Sequence, residues 1–158
     1  MIKSSRGFTL IELVITVAIV GILAMTAMPM IEMAAKRQKE SELRAALREI
    51  RSGLDAYRRA FEEGKLEKKV EDSGYPHHLE DLTKGVENIQ DPNKAKLYFL
   101  RRLPRDPFSD DPTKAAEQTW GKRSYASPPD APLEGADVFD VYSLSKDVGL
   151  NGTPYREW

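Results

Sequence analysis

The sequence predicts an α+β protein: one long N-terminal α-helix, membrane-spanning and then amphipathic, packed on a small C-terminal domain with a short antiparallel β-sheet. Three observations predict it. Leu13 to Ile31 is a run of 19 residues without a charged side chain. Beyond Glu32, apolar residues recur at helical spacing as far as Phe61. Past Gly64 the helical pattern stops, and Val138 to Leu144 alternates apolar and polar as a half-buried strand does.

The charge-free run comes first. As a helix it is about 28 Å long at about 1.5 Å per residue, close to the roughly 30 Å hydrocarbon core of a bilayer. Lys3 and Arg6 are the only charged side chains ahead of the Gly7-Phe8 junction. A basic flank stays on the cytoplasmic side, so the rest of the chain is expected to cross outward. Glu12 stands at the head of the run, where a carboxylate costs about 2.5 to 3.5 kcal/mol on insertion scales and is usually functional. Two other readings compete with a functional Glu12. One is a conventional cleaved signal, with a weak small-residue site at Ala24 to Ala27. The other is an uncleaved anchor whose Glu12 snorkels to the interface.

The helix is expected to continue past the membrane. Leu43, Leu47, Ile50, Leu54, Tyr57 and Phe61 fall on one face at spacings of four and three, with Ala46 and Ala60 widening the stripe. Its natural use is packing on the chain's own domain; a coiled-coil seam would need a longer repeat. Arg44, Arg48, Glu49, Arg51, Arg58 and Arg59 fall elsewhere and are expected to be mostly solvated. Gly64 is the expected stop. Pro29 interrupts the long helix, because its missing N–H leaves the Met25 carbonyl without a partner. Gly21, eight residues earlier, adds backbone freedom.

Residues 65–158 read as one small domain that uses the amphipathic helix as backing. Short helices are expected at His78–Leu82 and at Ala95–Leu103, the latter closed by Pro104. Arg105 to Phe108 reads as a turn. Residues 109–135, rich in Pro, Asp, Ser and Gly, read as a long surface loop with a short strand at Lys122–Ala126. Val138–Leu144 is the main strand, and Pro154–Trp158 a last edge strand or extended tail.

Gly7-Phe8-Thr9-Leu10-Ile11-Glu12-Leu13 resembles the processing motif of type IV prepilins and type II secretion pseudopilins. The resemblance implies that residues 1–7 are a leader, cut by a membrane-embedded prepilin peptidase between Gly7 and Phe8, and that the new Phe8 amine is methylated. It implies that Glu12 neutralises the Phe8 amine of a neighbouring subunit during assembly. It also implies that the segment between Gly21 and Pro29 can unwind in the assembled filament. The expected organisation is then leader 1–7, transmembrane and filament-core helix 8–31, amphipathic helix 32–64, and periplasmic domain 65–158.

A second resemblance lies in the domain. Leu103-Pro104-Arg105-Asp106-Pro107-Phe108 is similar to the Leu-Pro-x-Asp-Pro-aromatic segment of the major, G-type pseudopilins; the strand at 138–144, Ser145-Lys146-Asp147 and Trp158 also fit. Those proteins commonly bind calcium in a loop after that strand. Here the loop is shorter and less acidic, and Asp147 and Asn151 are the only side chains nominated as ligands. An ordinary Asx/Gly turn competes with calcium, which takes six to eight oxygens. No metal or cofactor is otherwise expected.

Other candidates are weaker. His77 and His78 are adjacent and without an evident third ligand. There is no cysteine, which excludes a thiol nucleophile, a cysteine zinc cluster and a disulfide. No nucleophile elbow or phosphate-binding loop occurs. With 24 basic and 25 acidic side chains the net charge is −1, so no general attraction to nucleic acid is expected. Arg101, Arg102 and Arg105 form a local basic group, read as a solvated face or an intersubunit contact. The expected function is a non-enzymatic pseudopilin subunit of a type II secretion filament. Its expected partners are further copies of itself, the prepilin peptidase, minor pseudopilins and the inner-membrane assembly platform. Its expected place is the bacterial inner membrane, single-pass, with a cytoplasmic N-terminus and a periplasmic domain. A type IV pilus subunit and a membrane-anchored periplasmic enzyme or binding module are the alternatives.

Overall fold

The computed structural model describes residues 7–68 and 72–158. The basic leader with Lys3 and Arg6 lies outside the described residues. The chain divides into two compact units, Met1–Gln38 and Lys39–Trp158.

In the first unit, helix α1 (Leu10–Glu62) begins two residues after Phe8 and runs without a break through Gly21 and Pro29. The described side chains from Leu10 to Met25 and from Met28 to Ala35 are all exposed. Among the described residues this helix is long and apolar enough to cross a membrane. The Thr16 hydroxyl, the one polar side chain described between Leu13 and Met25, donates back to the Glu12 and Leu13 carbonyls, at 2.9 Å each. It therefore brings no unsatisfied donor into an apolar medium.

In the second unit the rest of α1 supplies one wall of the core. Leu43, Ala46, Leu47, Ile50 and Leu54 pack with Leu79, Leu82, Leu100, Trp120, Val138, Val141 and Tyr155. The stripe read from the sequence is therefore an intramolecular surface, with Tyr57 packed against the core at its edge. The helix stops where expected. Gly64 takes φ +74°; Lys65 N–H donates to Ala60 O and Gly64 N–H to Phe61 O, both at 3.0 Å. This is a Schellman closure, and its left-handed residue suits glycine.

Helix α2 (Asp81–Lys84) is a single turn, three residues later than the His78 start read from the sequence. Strands β1 (Val86–Glu87) and β2 (Lys96–Leu97) form an antiparallel hairpin. Strands β3 (Trp120–Arg123) and β4 (Asp140–Ser143) form a second, with Trp120 opposite Ser143 and Arg123 opposite Asp140. A 3₁₀ turn at Ala116–Thr119 leads into β3, and another at Tyr155–Glu157 ends the chain.

Four expectations are corrected. Ala95–Leu103 is not a helix. Its first residues pair with β1, and Phe99 and Leu100 N–H both donate to Leu82 O, at 3.0 and 2.9 Å; these tertiary partners outcompete a local helix that has no cap of its own. Pro154–Trp158 is not a strand. Only Pro154 bridges, to Val148, and the chain then coils so that Tyr155 is buried against the core. The short strand expected at Lys122–Ala126 lies instead at Trp120–Arg123, two residues earlier at its start and three earlier at its end. Finally, Arg51 is not a mostly solvated residue. Its Nε pairs with Asp140 Oδ1 at 2.8 Å, and its Nη2 donates to the carbonyls of Val141 (3.3 Å) and Trp158 (2.8 Å).

Candidate processing and assembly site

The candidate site is the junction of Gly7, Phe8 and Glu12. Gly7 to Thr9 are not helical and are exposed. The first turn of α1 is closed by a reciprocal pair. Thr9 N–H and Thr9 Oγ1–H donate to Glu12 Oε2, at 2.9 and 2.8 Å, and Glu12 N–H donates to Thr9 Oγ1 at 3.3 Å. This is a capping box, which satisfies helix-end donors that have no partner within the helix. Thr9-x-x-Glu12 is a capping signature legible in the sequence. The carboxylate also sits in the first turn, where the helix dipole favours negative charge. Glu12 thus has a local task as well as an expected intermolecular one. Phe8 is 85% exposed, ahead of the cap, with the Gly7–Phe8 bond outside the helix.

The remaining candidates have surroundings of their own. Gly21 and Pro29 are both inside α1. His77 Nδ1 lies 2.6 Å from the Ala136 carbonyl oxygen and Nε2 lies 3.5 Å from Asp72, while the exposed His78 uses its backbone N–H to bond Asp81 Oδ2 at 3.0 Å. Arg101 and Arg102 are exposed. Arg105 is a loop staple, donating to the Lys114 carbonyl and to the Asp111 carbonyl at 2.8 Å. Asp147 is exposed, and Asn151 Oδ1 accepts Thr153 N–H at 3.1 Å. Among the described residues no three His, Cys, Asp or Glu side chains gather as a metal site.

The Leu103–Phe108 segment has a structural task. Asp106 is 3% exposed. Its Oδ1 accepts Phe108 N–H at 2.8 Å, its Oδ2 accepts the Ser143 hydroxyl at 2.5 Å, and its N–H donates to Thr119 Oγ1 at 3.1 Å. Trp120 Nε1–H donates to the Pro104 carbonyl at 2.9 Å. The buried Asp106 carboxylate therefore ties its own turn to β4, and the same residue's backbone N–H ties that turn to the entry of β3.

Residues 2–28 match the family model described as the prokaryotic N-terminal methylation motif. The chain is similar over nearly its whole length to curated proteins named type II secretion system core protein G. It is 30% identical to that of Dickeya chrysanthemi, covering 96% of this chain and 95% of the relative. It is 28% identical to that of Pseudomonas aeruginosa (96% and 90%) and 28% identical to that of Escherichia coli K12 (89% and 93%). No solved structure matches the chain. The prepilin-type junction, the apolar helix behind it, the Leu-Pro-x-Asp-Pro-aromatic turn and the full-length similarity agree, and the chain belongs to the type II secretion system core protein G family, the major pseudopilins.

Proposed function

We propose that this chain is processed by a prepilin peptidase and polymerises as the main subunit of a periplasmic type II secretion filament. In this reading the peptidase hydrolyses the Gly7–Phe8 peptide bond on the cytoplasmic face and transfers a methyl group to the new Phe8 amine. The mature helix 8–31 holds the subunit in the inner membrane until assembly, with residues 65–158 in the periplasm. Minor pseudopilins and an inner-membrane platform direct the assembly. The family membership favours secretion over a pilus for adhesion, motility or DNA uptake, and favours a structural subunit over an enzyme.

The observation that carries the reading is the pairing of an exposed Phe8 with a Glu12 carboxylate aimed at the same helix end. Both capping bonds fall on Oε2, so the Oε1 lone pairs serve the Phe8 ammonium of the next subunit. An α-amine has a reference pKa of about 7.7 to 8.0 and is largely protonated near neutral pH. Moved into an apolar filament core, it must be paired or lose its proton, and either failure costs free energy. Unwinding between Gly21 and Pro29 then adapts subunits to the filament's axial spacing; the proline's missing donor and the glycine's freedom support it.

The test is co-expression of Glu12→Ala and Glu12→Gln with the peptidase. Intact mass and N-terminal analysis should find methylated Phe8 as the mature end in both, because the cleaved bond lies outside α1. Filament number and length should fall in both variants, more for alanine, since glutamine keeps an acceptor for Thr9 without the charge. Normal filaments in both would overturn charge neutralisation, and a mature end other than Phe8 would overturn the processing.

A further inference from the structure

The segment Asp147–Trp158, where the resemblance raised calcium, has the wrong donor set for a cation. Four of its oxygens already accept hydrogen bonds from within the loop. Asn151 Oδ1 takes Thr153 N–H (3.1 Å) and Asp147 O takes Tyr155 N–H (3.2 Å). Gly149 O takes Gly152 N–H (2.9 Å), and Thr153 O takes both Gly149 N–H (2.9 Å) and Trp158 Nε1–H (3.3 Å). A calcium ion needs six to eight oxygens, carboxylates among them, turned toward one point.

What this loop turns toward α1 is donors. Leu150 N–H donates to Glu40 Oε1 at 2.7 Å, and the Tyr155 hydroxyl donates to the same oxygen at 3.0 Å. Glu40 is 5% exposed and Tyr155 is fully buried. One turn along α1, Arg44 Nη2 stands 4.0 Å from Glu40 Oε2, and the same guanidinium lies 4.3 Å over the Trp158 ring. Farther along, Arg51 holds the Trp158 carbonyl. The packing leaves no slack. A Cβ at Gly149 would stand 2.5 Å from Trp158 Cζ2 and 2.7 Å from Asn151 Oδ1.

We propose that the C-terminal loop of this subunit is folded around an anion, the Glu40 carboxylate supplied by α1, and closes without a divalent cation. A cation-centred loop converges acceptors on a positive ion. This loop converges an N–H and an O–H on a negative one, and a buried carboxylate requires such donors to offset its lost hydration. Burial and the Glu40 charge push the Tyr155 phenol up to about 12, which keeps it a donor throughout the neutral range. The inference concerns how the subunit folds and does not depend on the filament reading above.

The test uses the purified full-length chain in detergent, with hydrogen exchange and thermal melting in calcium chloride or in EGTA. Wild type should show the same melting midpoint and the same Leu150 amide protection in both. Glu40→Ala should speed exchange at Leu150 about tenfold or more, the loss of a hydrogen bond to a charged acceptor, while the Trp120–Arg123 amides remain protected. Glu40→Gln keeps an acceptor without the charge, folds more securely, and should give a smaller loss at the same amide. Asp147→Ala should change neither measurement. Calcium that raises the melting midpoint or slows loop exchange, with Asp147→Ala abolishing the response, would overturn the proposal. So would unchanged Leu150 protection in both Glu40 variants.

Discussion

Three carboxylates show how one chemical group serves different ends in this chain. Glu12 caps the exposed start of α1; Glu40 gathers a loop; Asp106 ties a turn to β4. Asp106 offers the clearest stability test, because its oxygens satisfy two donors while the residue itself is only 3% exposed. Asp106→Ala should destabilise the domain by about 3 kcal/mol, since hydrogen bonds to charged groups contribute about 1.5 to 3 kcal/mol each and the orphaned donors stay buried. Asp106→Asn, which keeps one acceptor oxygen, should lose less. Chemical denaturation of both variants measures the difference, and equal stability of alanine and wild type would contradict the network. Asp137 adds a pH-dependent contribution. Burial alone would raise its pKa, but the hydroxyls of Ser73 and Ser124 and the Tyr125 N–H outweigh burial and hold it below the usual carboxylate range. A depressed carboxylate contributes stability above its unfolded pKa of about 3.9 and loses it as the pH falls through the folded value. Asp137→Asn should therefore flatten the acid limb of stability, which melting between neutral pH and the acid transition would reveal.

At the scale of elements, periodicity and punctuation carried most of what was legible. The α1 stripe, the Gly64 stop and the β4 strand follow from spacing and from glycine chemistry, and all three stand in the structure. The Thr9–Glu12 capping box is equally legible, as a threonine three residues ahead of a glutamate at the head of an apolar run. The misassigned elements share a cause. Lys96–Leu97 and Trp120–Arg123 are two and four residues long, too short for a period to declare itself. Nothing local in Ala95–Leu103 reveals that Phe99 and Leu100 will donate to one carbonyl on α2. Likewise the helical position of Arg51 says only that it is off the apolar stripe. Its partners, Asp140 and Trp158, are 89 and 107 residues away.

The whole molecule separates a membrane problem from a folding problem. The first unit exposes its apolar helix along its length, whereas the second buries its own stripe of α1. Removing residues 1–31 should therefore leave a soluble monomer that melts cooperatively, because the charge-free run goes and the Leu43–Leu54 face stays covered. Analytical ultracentrifugation and calorimetry of that shortened chain provide the check. Aggregation without a cooperative transition would mean that the stripe needs a neighbouring subunit to cover it.

The sequence by itself determined the N-terminal third: a basic flank, a prepilin-type motif, a membrane-length helix and its continuation as an amphipathic stripe. These are one-dimensional properties, written in composition and in a period of 3.6, and they need no distant partner to be read. It also determined the family, through the short motifs at residues 7–13 and 103–108. Only the tertiary structure decided that Glu40, Arg44 and Arg51, outwardly three polar positions on a charged helix, are the face on which residues 140–158 close. The physical reason is that a polar side chain acquires its role from whatever donor or acceptor folding brings to it. For Glu40 those donors come from Leu150 and Tyr155, 110 and 115 residues farther along the chain.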